Sequence, residues 1–236
     1  MICDIHQHVV YGVDDGAKDS QMSLDMLLAA AGQGVAEICC TSHIIPGYTH
    51  PDAERYKRHL SVLEAEASKL GIRLFSGSEI MYSEATPKLL RDGYVPCLGD
   101  GNSVLVEFMP QFPFEMLKRA AADLQNAGYN PVFAHIERYE ALQDIKRIRM
   151  LRADYGIITQ MNARTVLDSR GLFGNRWAKR VLEDGLIDVI ASDAHNSTTR
   201  VCRIGEAAKY LKKKFGAKAA EKMTYTLPHK LLMAAG

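Results

Sequence analysis

The sequence predicts an α/β fold in which seven strand–helix units close into a barrel. Short apolar runs alternate along the chain with segments whose apolar residues recur every three or four positions, which is typical of parallel βα units. Histidine, aspartate and glutamate residues recur at the ends of the apolar runs. In a barrel the carboxyl ends of the strands converge on one face, whereas an open doubly wound sheet would spread them along an edge. The positions of these residues therefore favour the barrel.

The predicted strands are short and mostly apolar. The first one differs, because its apolar run is broken by Asp4, His6, Gln7 and His8. In chain order, the seven strands are predicted at Cys3–Val10, Val35–Ser42, Ile72–Ser78, Ser103–Phe108, Pro131–His135, Gly156–Asn162 and Leu186–Ser192.

Helices are predicted where apolar residues share one face, and a glycine often follows the end of the segment. In the first helix Leu24, Leu27, Leu28 and Ala31 share a face, and Gly34 follows. The predicted helices are Ser23–Gln33, Asp52–Leu70, Glu84–Arg91, Phe114–Ala127, Tyr139–Ala153, Trp177–Glu183 and Arg203–Phe215, with a helical tail from Ala219 onward that Pro228 interrupts.

Composition argues against several classes of protein. The 236 residues suffice for one well-buried core, and we expect a single domain over residues 1–236. The net charge is +1, without a long run of one sign, so no nucleic-acid partner is expected. No apolar stretch reaches the roughly 18 residues of a membrane helix, so no membrane insertion is expected. The five cysteines lack C-x-x-C spacing, which is typical of reduced thiols in a cytoplasmic protein.

His6 and His8 are two positions apart on the first predicted strand, so their side chains project to the same side and could share a metal ion. Such a pair is a weak signal by itself, because two unrelated surface histidines fit it as well. The rest of the chain strengthens it, since further histidines and carboxylates lie at or near predicted strand ends. The candidate ligands are His6, His8, Asp15, His43, Glu79, Glu107, His135, Asp193 and His195.

Any one of these histidines could be a core residue satisfied by hydrogen bonds. So many imidazoles and carboxylates in one cleft would nevertheless leave buried polar groups unpaired unless cations were bound. Nine candidate ligands exceed what one ion takes, so two or three divalent ions are expected. Mixed imidazole and carboxylate ligands suit manganese, iron or zinc better than calcium, and we expect Mn²⁺.

Several motifs carry a resemblance to a known family. They are Asp4-Ile-His-Gln-His8, Asp14-Asp15-Gly16, Thr41-Ser-His43, Glu79, Glu107, His135-Ile-Glu-Arg-Tyr139 and Ser192-Asp-Ala-His195. Together they resemble the polymerase and histidinol phosphatase (PHP) superfamily. More narrowly, the chain is similar, from Met1 to about Leu232, to the metal-dependent tyrosine-protein phosphatases of bacterial capsular and exopolysaccharide operons. The resemblance implies a distorted TIM-like (β/α)7 barrel of the PHP type.

The resemblance also implies a site for three ions. The implied ligand sets are His6, His8, Glu79 and Asp193 for the first ion, Glu79, Glu107 and His135 for the second, and Asp15, His43 and His195 for the third. It further implies that Arg138 binds phosphate, with Arg200 as a second match, although a surface ion pair is the alternative for each. Asp4 is expected to help orient an imidazole, and Asp14 is expected to be a turn residue.

The implied chemistry is hydrolysis of a phosphomonoester. Clustered cations bind a phosphoryl group, activate water near neutral pH and stabilise the leaving oxygen, so no protein nucleophile is needed. A cysteine-based phosphatase is excluded, because that chemistry needs an arginine six positions after the cysteine and none of the five cysteines has one.

Three functions are compatible with such a site. The resemblance favours a protein-tyrosine phosphatase acting on a bacterial tyrosine autokinase that regulates capsular or extracellular polysaccharide synthesis. The second is a small-molecule phosphomonoesterase such as histidinol-phosphate phosphatase. The third is a regulatory protein that holds metal but acts by docking on the kinase, and the intact ligands and Arg138 argue against it. We expect the loop Ile44–Pro51, with Tyr48 and His50, to border the substrate entrance, although a plain connector fits it nearly as well.

Overall fold

The computed structural model describes residues 1–47, 52–171 and 173–234, and its centre is one seven-stranded sheet. The strands are β1 (Ile2–Gln7), β2 (Val35–Ile44), β3 (Arg73–Met81), β4 (Ser103–Glu107), β5 (Asn130–Phe133), β6 (Ile158–Asn162) and β7 (Val189–Ala191). All neighbours pair in parallel, and their order in the sheet is their order in the chain. The predicted barrel of seven strands is therefore confirmed, although β7 is shorter than expected.

The barrel nearly closes between its first and last strands. Just beyond β7, Ala194 forms an isolated parallel bridge with Gln7 of β1. The Asp193 N–H donates to the His6 carbonyl at 2.9 Å, and the His8 N–H donates to the Ala194 carbonyl at 2.9 Å. The seam therefore joins the two chain segments that carry four of the candidate ligands.

Helices surround the sheet, and most were predicted to within a few residues. They are α1 (Ser20–Gly32), α2 (Ala53–Lys69), α3 (Thr86–Arg91), α4 (Phe114–Asn126), α5 (Ile145–Tyr155), α6 (Ala163–Asp168), α7 (Arg176–Glu183), α8 (Ile204–Phe215), α9 (Ala217–Glu221) and α10 (Leu227–Leu232). Among the described residues, no helix is both long enough and apolar enough to cross a bilayer.

Two helical predictions were wrong in part. The segment predicted as one helix over Tyr139–Ala153 begins with a 3₁₀ turn, Glu140–Gln143, and α5 starts only at Ile145 because the Asp144 carboxylate caps it by accepting the Lys146 N–H at 3.0 Å. In the tail, Pro228 lies inside α10 and does not interrupt it. A π-helical segment, Lys222–Thr226, lies just before α10. Pro228 is the second residue of α10, in its first turn, where a residue without an N–H is tolerated.

The inside of the barrel is filled by apolar side chains below the strand ends. Residues two apart on a strand face the same side, so the interior residue Phe75 is followed on that face by Gly77 and then Glu79. Leu232 of α10 belongs to this interior cluster. Gly99, with φ +58°, lies so close to this helix end that an added Cβ would stand 2.5 Å from the Leu232 carbonyl oxygen. The apolar filling and α10 thus close one end, and polar side chains occupy the other.

Candidate metal centre

Three adjacent strands bring polar side chains to the open end of the barrel. His43 of β2 pairs in register with Glu79 of β3, and Met81 of β3 pairs with Glu107 of β4. Each ligand-type residue follows an interior apolar residue on the same strand and the same face. His43 is four positions after Cys39, Glu79 is four after Phe75, and Glu107 is two after Leu105. The same strand faces that fill the barrel therefore deliver these ligand-type side chains to its rim.

A first cluster gathers around the end of β1. The His6 and His8 Nε2 atoms are 3.2 Å apart. Glu79 Oε2 lies 3.0 Å from the His6 nitrogen and 3.2 Å from the His8 nitrogen, and Asp193 Oδ1 lies 3.4 Å from that of His6. All four side chains are buried. Their ligand atoms are close enough together to hold one metal ion.

A second cluster lies on the other side of Glu79. His135 Nε2 is 2.8 Å from Glu79 Oε1 and 3.5 Å from Glu107 Oε2. His43 Nδ1 is 3.2 Å from both Glu79 Oε2 and Glu107 Oε1. His43, Glu79 and Glu107 together could hold an ion. Glu79 Oε2 thus faces both clusters, and Glu79 Oε1 faces His135.

A third cluster lies nearest to solvent. Asp15 Oδ1, on an exposed side chain, is 3.5 Å from His43 Nε2 and 3.4 Å from His195 Nε2. His8 completes this group, since its ring stacks on that of His195 with centroids 3.7 Å apart. The structure thus brings all nine candidate ligands into one connected site. His8 and His43 each belong to two of these clusters, whereas the resemblance assigned each of them to one ion.

Two residues of the site have an unusual backbone conformation. His135 follows β5 with φ 29°, and Asp193 follows β7 with φ 53°. Such values are uncommon for residues other than glycine, and they persist only where the surroundings hold them. Here hydrogen bonds hold both residues, because the His135 N–H donates to Gln160 Oε1 at 2.8 Å and the Asp193 N–H donates across the seam to His6.

The aspartates next to the ligands differ from expectation. Asp4 contacts the backbone rather than an imidazole, since its carboxylate accepts the N–H groups of His6 at 3.4 Å and Ser192 at 2.9 Å. Asp14 is more than a turn residue. Its carboxylate contacts His8 Nδ1 at 2.8 Å and accepts the His43 N–H at 3.0 Å, so Asp14 orients one candidate ligand and fixes the backbone of another.

Sequence reasoning missed two buried amides of β6. Gln160 Oε1 lies 3.2 Å from His6 Nδ1, and Asn162 Nδ2 donates to Asp193 Oδ2 at 2.8 Å. Neither residue is a common metal ligand, so a search for histidine and carboxylate passes over both. Their spacing was a usable signal, because residues two apart near the carboxyl end of a strand face the same site.

The electrostatics of the site fit divalent cations. Burial opposes protonation of His6, but the charges of Glu79 and Asp193 outweigh it and raise the pKa of His6 to about 9. Burial similarly opposes protonation of His43, yet Glu107 and Glu79 raise its pKa to about 9. The carboxylates therefore stabilise positive charge in the site, and either protonated imidazoles or bound metal ions can supply that charge.

Unpaired atoms in the site point the same way. Glu79 Oε2 and His195 Nε2 are buried without a hydrogen-bond partner among the described residues, although each lies near other candidate ligands. Burial and the nearby His8 lower the pKa of His195 to about 3, which keeps its imidazole neutral with a free lone pair. Lone pairs from nitrogen and oxygen that converge without hydrogen bonds suit a metal ion such as Mn²⁺, Fe²⁺ or Zn²⁺.

Both candidate arginines lie at the mouth of the site. Arg138 forms an ion pair with Asp193 Oδ2. Arg200 Nη2 lies 3.1 Å from Asp193 Oδ1, and its Nη1 lies 3.7 Å from Asp15 Oδ2. Both guanidinium groups remain partly exposed. They are therefore ion-paired, as the alternative interpretation required, but to candidate ligands of the site rather than to remote surface groups.

No cysteine is suited to act as a nucleophile. Burial raises the pKa of the Cys39 thiol to about 12. Burial also raises the pKa of the other four thiols, those of Cys3, Cys40, Cys97 and Cys202. The thiolate is the reactive form, so these thiols are inert near neutral pH.

A separate cavity of about 590 Å³ lies beside α2 and β3. Ser42, Tyr56, Leu60 and Leu74 contribute to its lining, and none of the nine candidate ligands does. The cleft at the strand ends, not this cavity, therefore holds the ligand-type residues. Part of the predicted substrate loop, with Tyr48 and His50, lies outside the described residues, so its role stays a prediction.

Comparison with known proteins places this arrangement in a family. The model of the capsular polysaccharide synthesis family CpsB/CapC matches residues 2–233. The chain belongs to the CpsB/CapC family. The tyrosine-protein phosphatase CpsB of Streptococcus pneumoniae is 34% identical to this member over 239 residues, which cover 98% of each chain. The resemblance stated from the sequence motifs is confirmed.

Solved structures agree with this family assignment. A structure reported for YwqE from Bacillus subtilis and CpsB from S. pneumoniae, described as unique metal-dependent tyrosine phosphatases, superposes on this CpsB/CapC member with a TM-score of 0.85 and 29% identity, covering 98% of this chain and 94% of the other. The histidinol phosphate phosphatase of Lactococcus lactis matches with a TM-score of 0.57 and 19% identity over 91% of this chain and 94% of its own. The latter match shows a shared fold alone.

Proposed function

We propose that this chain is a metal-dependent protein-tyrosine phosphatase that hydrolyses phosphotyrosine in a capsular or extracellular polysaccharide system. One observation carries the proposal: a site of nine converging imidazole and carboxylate side chains, in a chain that matches tyrosine-protein phosphatases over nearly its whole length. The reaction class, phosphoester hydrolysis, follows from the family. The whole chain, residues 1–236, acts in this proposal as one PHP-type domain in the cytoplasm.

We assign the metal ions as the resemblance implied. His6, His8, Glu79 and Asp193 hold one ion, Glu79, Glu107 and His135 a second, and Asp15, His43 and His195 a third. The distances within each cluster support the assignment, and His43 is a candidate for the second ion as well, because its Nδ1 lies 3.2 Å from Glu107. Mn²⁺ is the preferred ion, with iron and zinc as the other metals that this donor set suits.

Bound divalent ions supply the charge that polarises a phosphoryl group and lowers the pKa of water. The residues of the chain do the rest. Arg138 and Arg200 present guanidinium groups at the mouth, where they can bind the phosphate oxygens as the negative charge on the transferring group redistributes. The buried thiols exclude a cysteinyl intermediate, so water is the nucleophile in this proposal.

The substrate in this proposal is a phosphotyrosine protein, and its source is a bacterial tyrosine autokinase. The small-molecule alternative, histidinol phosphate, has only the shared fold in its favour. The regulatory alternative is a protein that holds metal without hydrolysis. The two arginines that lie beside the candidate ligands argue against it.

A parallel assay tests the choice of substrate. The purified, metal-loaded protein is given a phosphotyrosine peptide and histidinol phosphate at equal concentrations, and phosphate release is measured. We expect a higher kcat/KM for the peptide. Preferential hydrolysis of histidinol phosphate would contradict the proposal, and hydrolysis of neither would favour the regulatory alternative.

A further inference from the structure

Two buried amide side chains on β6 connect three of the candidate ligands. Gln160 and Asn162 are two positions apart, so both face the interior of the site. Gln160 Nε2 donates to Asn162 Oδ1 at 2.9 Å. At its other end Gln160 contacts His6 and His135, and Asn162 contacts Asp193. Gln160 is completely buried, so its hydrogen bonds cannot be replaced by solvent.

The donor and the acceptor of each hydrogen bond from His135 through Gln160 and Asn162 to Asp193 can be assigned. The backbone N–H of His135 can only donate, so the Gln160 atom that faces it at 2.8 Å must be the carbonyl oxygen. The other end of the Gln160 amide is then a donor, and Asn162 must accept with its oxygen. The Asn162 NH₂ group is left to donate to the Asp193 carboxylate, which can only accept in its ionised form.

The same direction determines which nitrogen of His6 is available to a metal ion. The Gln160 oxygen also faces His6 Nδ1 at 3.2 Å, so that nitrogen carries the hydrogen. The lone pair then belongs to His6 Nε2, which lies 3.0 Å from Glu79. Two other histidines show the same design with different acceptors, since His8 Nδ1 faces the Asp14 carboxylate and His195 Nδ1 faces a backbone carbonyl.

At the far end, Asn162 donates to one oxygen of Asp193, which Arg138 also contacts, and the other oxygen faces both His6 and Arg200. Oδ2 accepts from Asn162, whereas Oδ1 lies 3.4 Å from His6 Nε2, inside the first cluster. The backbone of Asp193 has a positive φ, so its carboxylate direction is not set by an ordinary strand conformation.

We propose that Gln160 and Asn162 act as one positioning unit that fixes the His6 tautomer, the His135 backbone and the Asp193 carboxylate, and thereby sets the affinity of the site for a divalent ion. The proposal rests on the metal-binding function proposed above. Both residues act through the ligands and do not touch the substrate. Loss of such outer contacts typically weakens metal binding about 10- to 100-fold.

The test compares metal affinity with stability in matched variants. Gln160→Met keeps the length of the side chain and removes its polar atoms. Asn162→Leu removes the hydrogen bond to Asp193 and also the oxygen that accepts from Gln160 Nε2. Thr159→Val is the control, because the Thr159 hydroxyl is also buried on β6 but donates to the Leu186 carbonyl at 2.7 Å, away from the site. Mn²⁺ affinity is measured by titration calorimetry, and the melting temperature is measured on chelated protein.

We expect all three variants to melt at a lower temperature, but only Gln160→Met and Asn162→Leu to bind Mn²⁺ about 10- to 100-fold more weakly. The double variant should lose little more affinity than Gln160→Met alone, because the pair acts as a unit. Affinity within about twofold of Thr159→Val for both variants would overturn the positioning role. If Gln160→Met does not fold, Asn162→Leu decides by the same criterion. Failure of the wild-type protein to bind Mn²⁺, Fe²⁺ or Zn²⁺ would overturn the metal site itself, and the positioning role with it.

Discussion

Glu79 is the residue on which most of the candidate site converges. Its two carboxylate oxygens face four histidines, His6, His8, His43 and His135. Burial alone would raise its pKa, but the charge of His6 and the hydrogen bond from His135 outweigh burial and hold the pKa of Glu79 well below its usual range. A carboxylate that stays ionised while completely buried has to be balanced by cations, so Glu79 is the most sensitive position at which to test metal binding.

Glu79→Gln tests the bridging role of this carboxylate. The variant keeps the size of the side chain but loses its charge, so we expect fewer metal ions per chain and little phosphatase activity. Elemental analysis and phosphate release are measured on the same preparation. Glu84→Gln is the control, since Glu84 is exposed and paired with Arg119. Unchanged metal content in Glu79→Gln would remove Glu79 from the set of ligands.

Arg138→Ala separates binding of phosphate from binding of metal. A guanidinium has no free lone pair and cannot be a metal ligand, so the metal content should persist. Turnover should fall by about 100- to 1,000-fold, the usual cost of losing a preorganised donor to developing charge. Arg138→Lys should restore activity only in part, because an ammonium lacks the planar fork of a guanidinium.

The control for Arg138 is Arg149→Ala, which removes an arginine paired with Asp184 on the surface. That variant should keep both turnover and metal content. Near-normal turnover of Arg138→Ala at full metal occupancy would show that the phosphate lies elsewhere.

At the scale of elements, the sequence predicted strands and helices correctly where the apolar pattern is long and a glycine marks its end. The strands and the longer helices follow from apolar periodicity and glycine stops, and the candidate ligands follow from their positions at strand ends. It failed where one local hydrogen bond decides, as at the Asp144 cap that starts α5, and where an element is too short to show a period, as in α6. Gln160 was not predicted as a site residue, because its role depends on contacts with His6 and His135, which lie far from it in the sequence.

The packing of α10 into the end of the barrel gives a prediction about stability. Leu232 is completely buried in the interior cluster, so Leu232→Ala should cost about 2–5 kcal/mol in the free energy of unfolding. Leu28→Ala on the exposed side of α1 should change it by no more than about 0.5 kcal/mol. Urea unfolding of both chelated variants measures the difference. Equal, small effects would show that α10 is not packed as described.

For the whole molecule, four of the nine candidate ligands lie at the seam of the barrel. His6 and His8 come from the first strand, Asp193 and His195 follow the last, and the backbone bonds of Asp193 and His8 join the two. Candidate ligands from opposite ends of the chain therefore meet only when the barrel forms, so the candidate metal site depends on the fold. The apolar filling lies below the site, and the two partly exposed arginines lie at its outer side.

The dependence of phosphotyrosine hydrolysis on divalent metal tests this account most directly. The protein is treated with a chelator, and its turnover of a phosphotyrosine peptide is measured before treatment, after it, and after addition of Mn²⁺. We expect the chelated protein to lose activity and Mn²⁺ to restore it, because the candidate ligands converge and burial keeps the cysteine thiols protonated near neutral pH. Full activity in a preparation shown by elemental analysis to be free of metal would contradict the account.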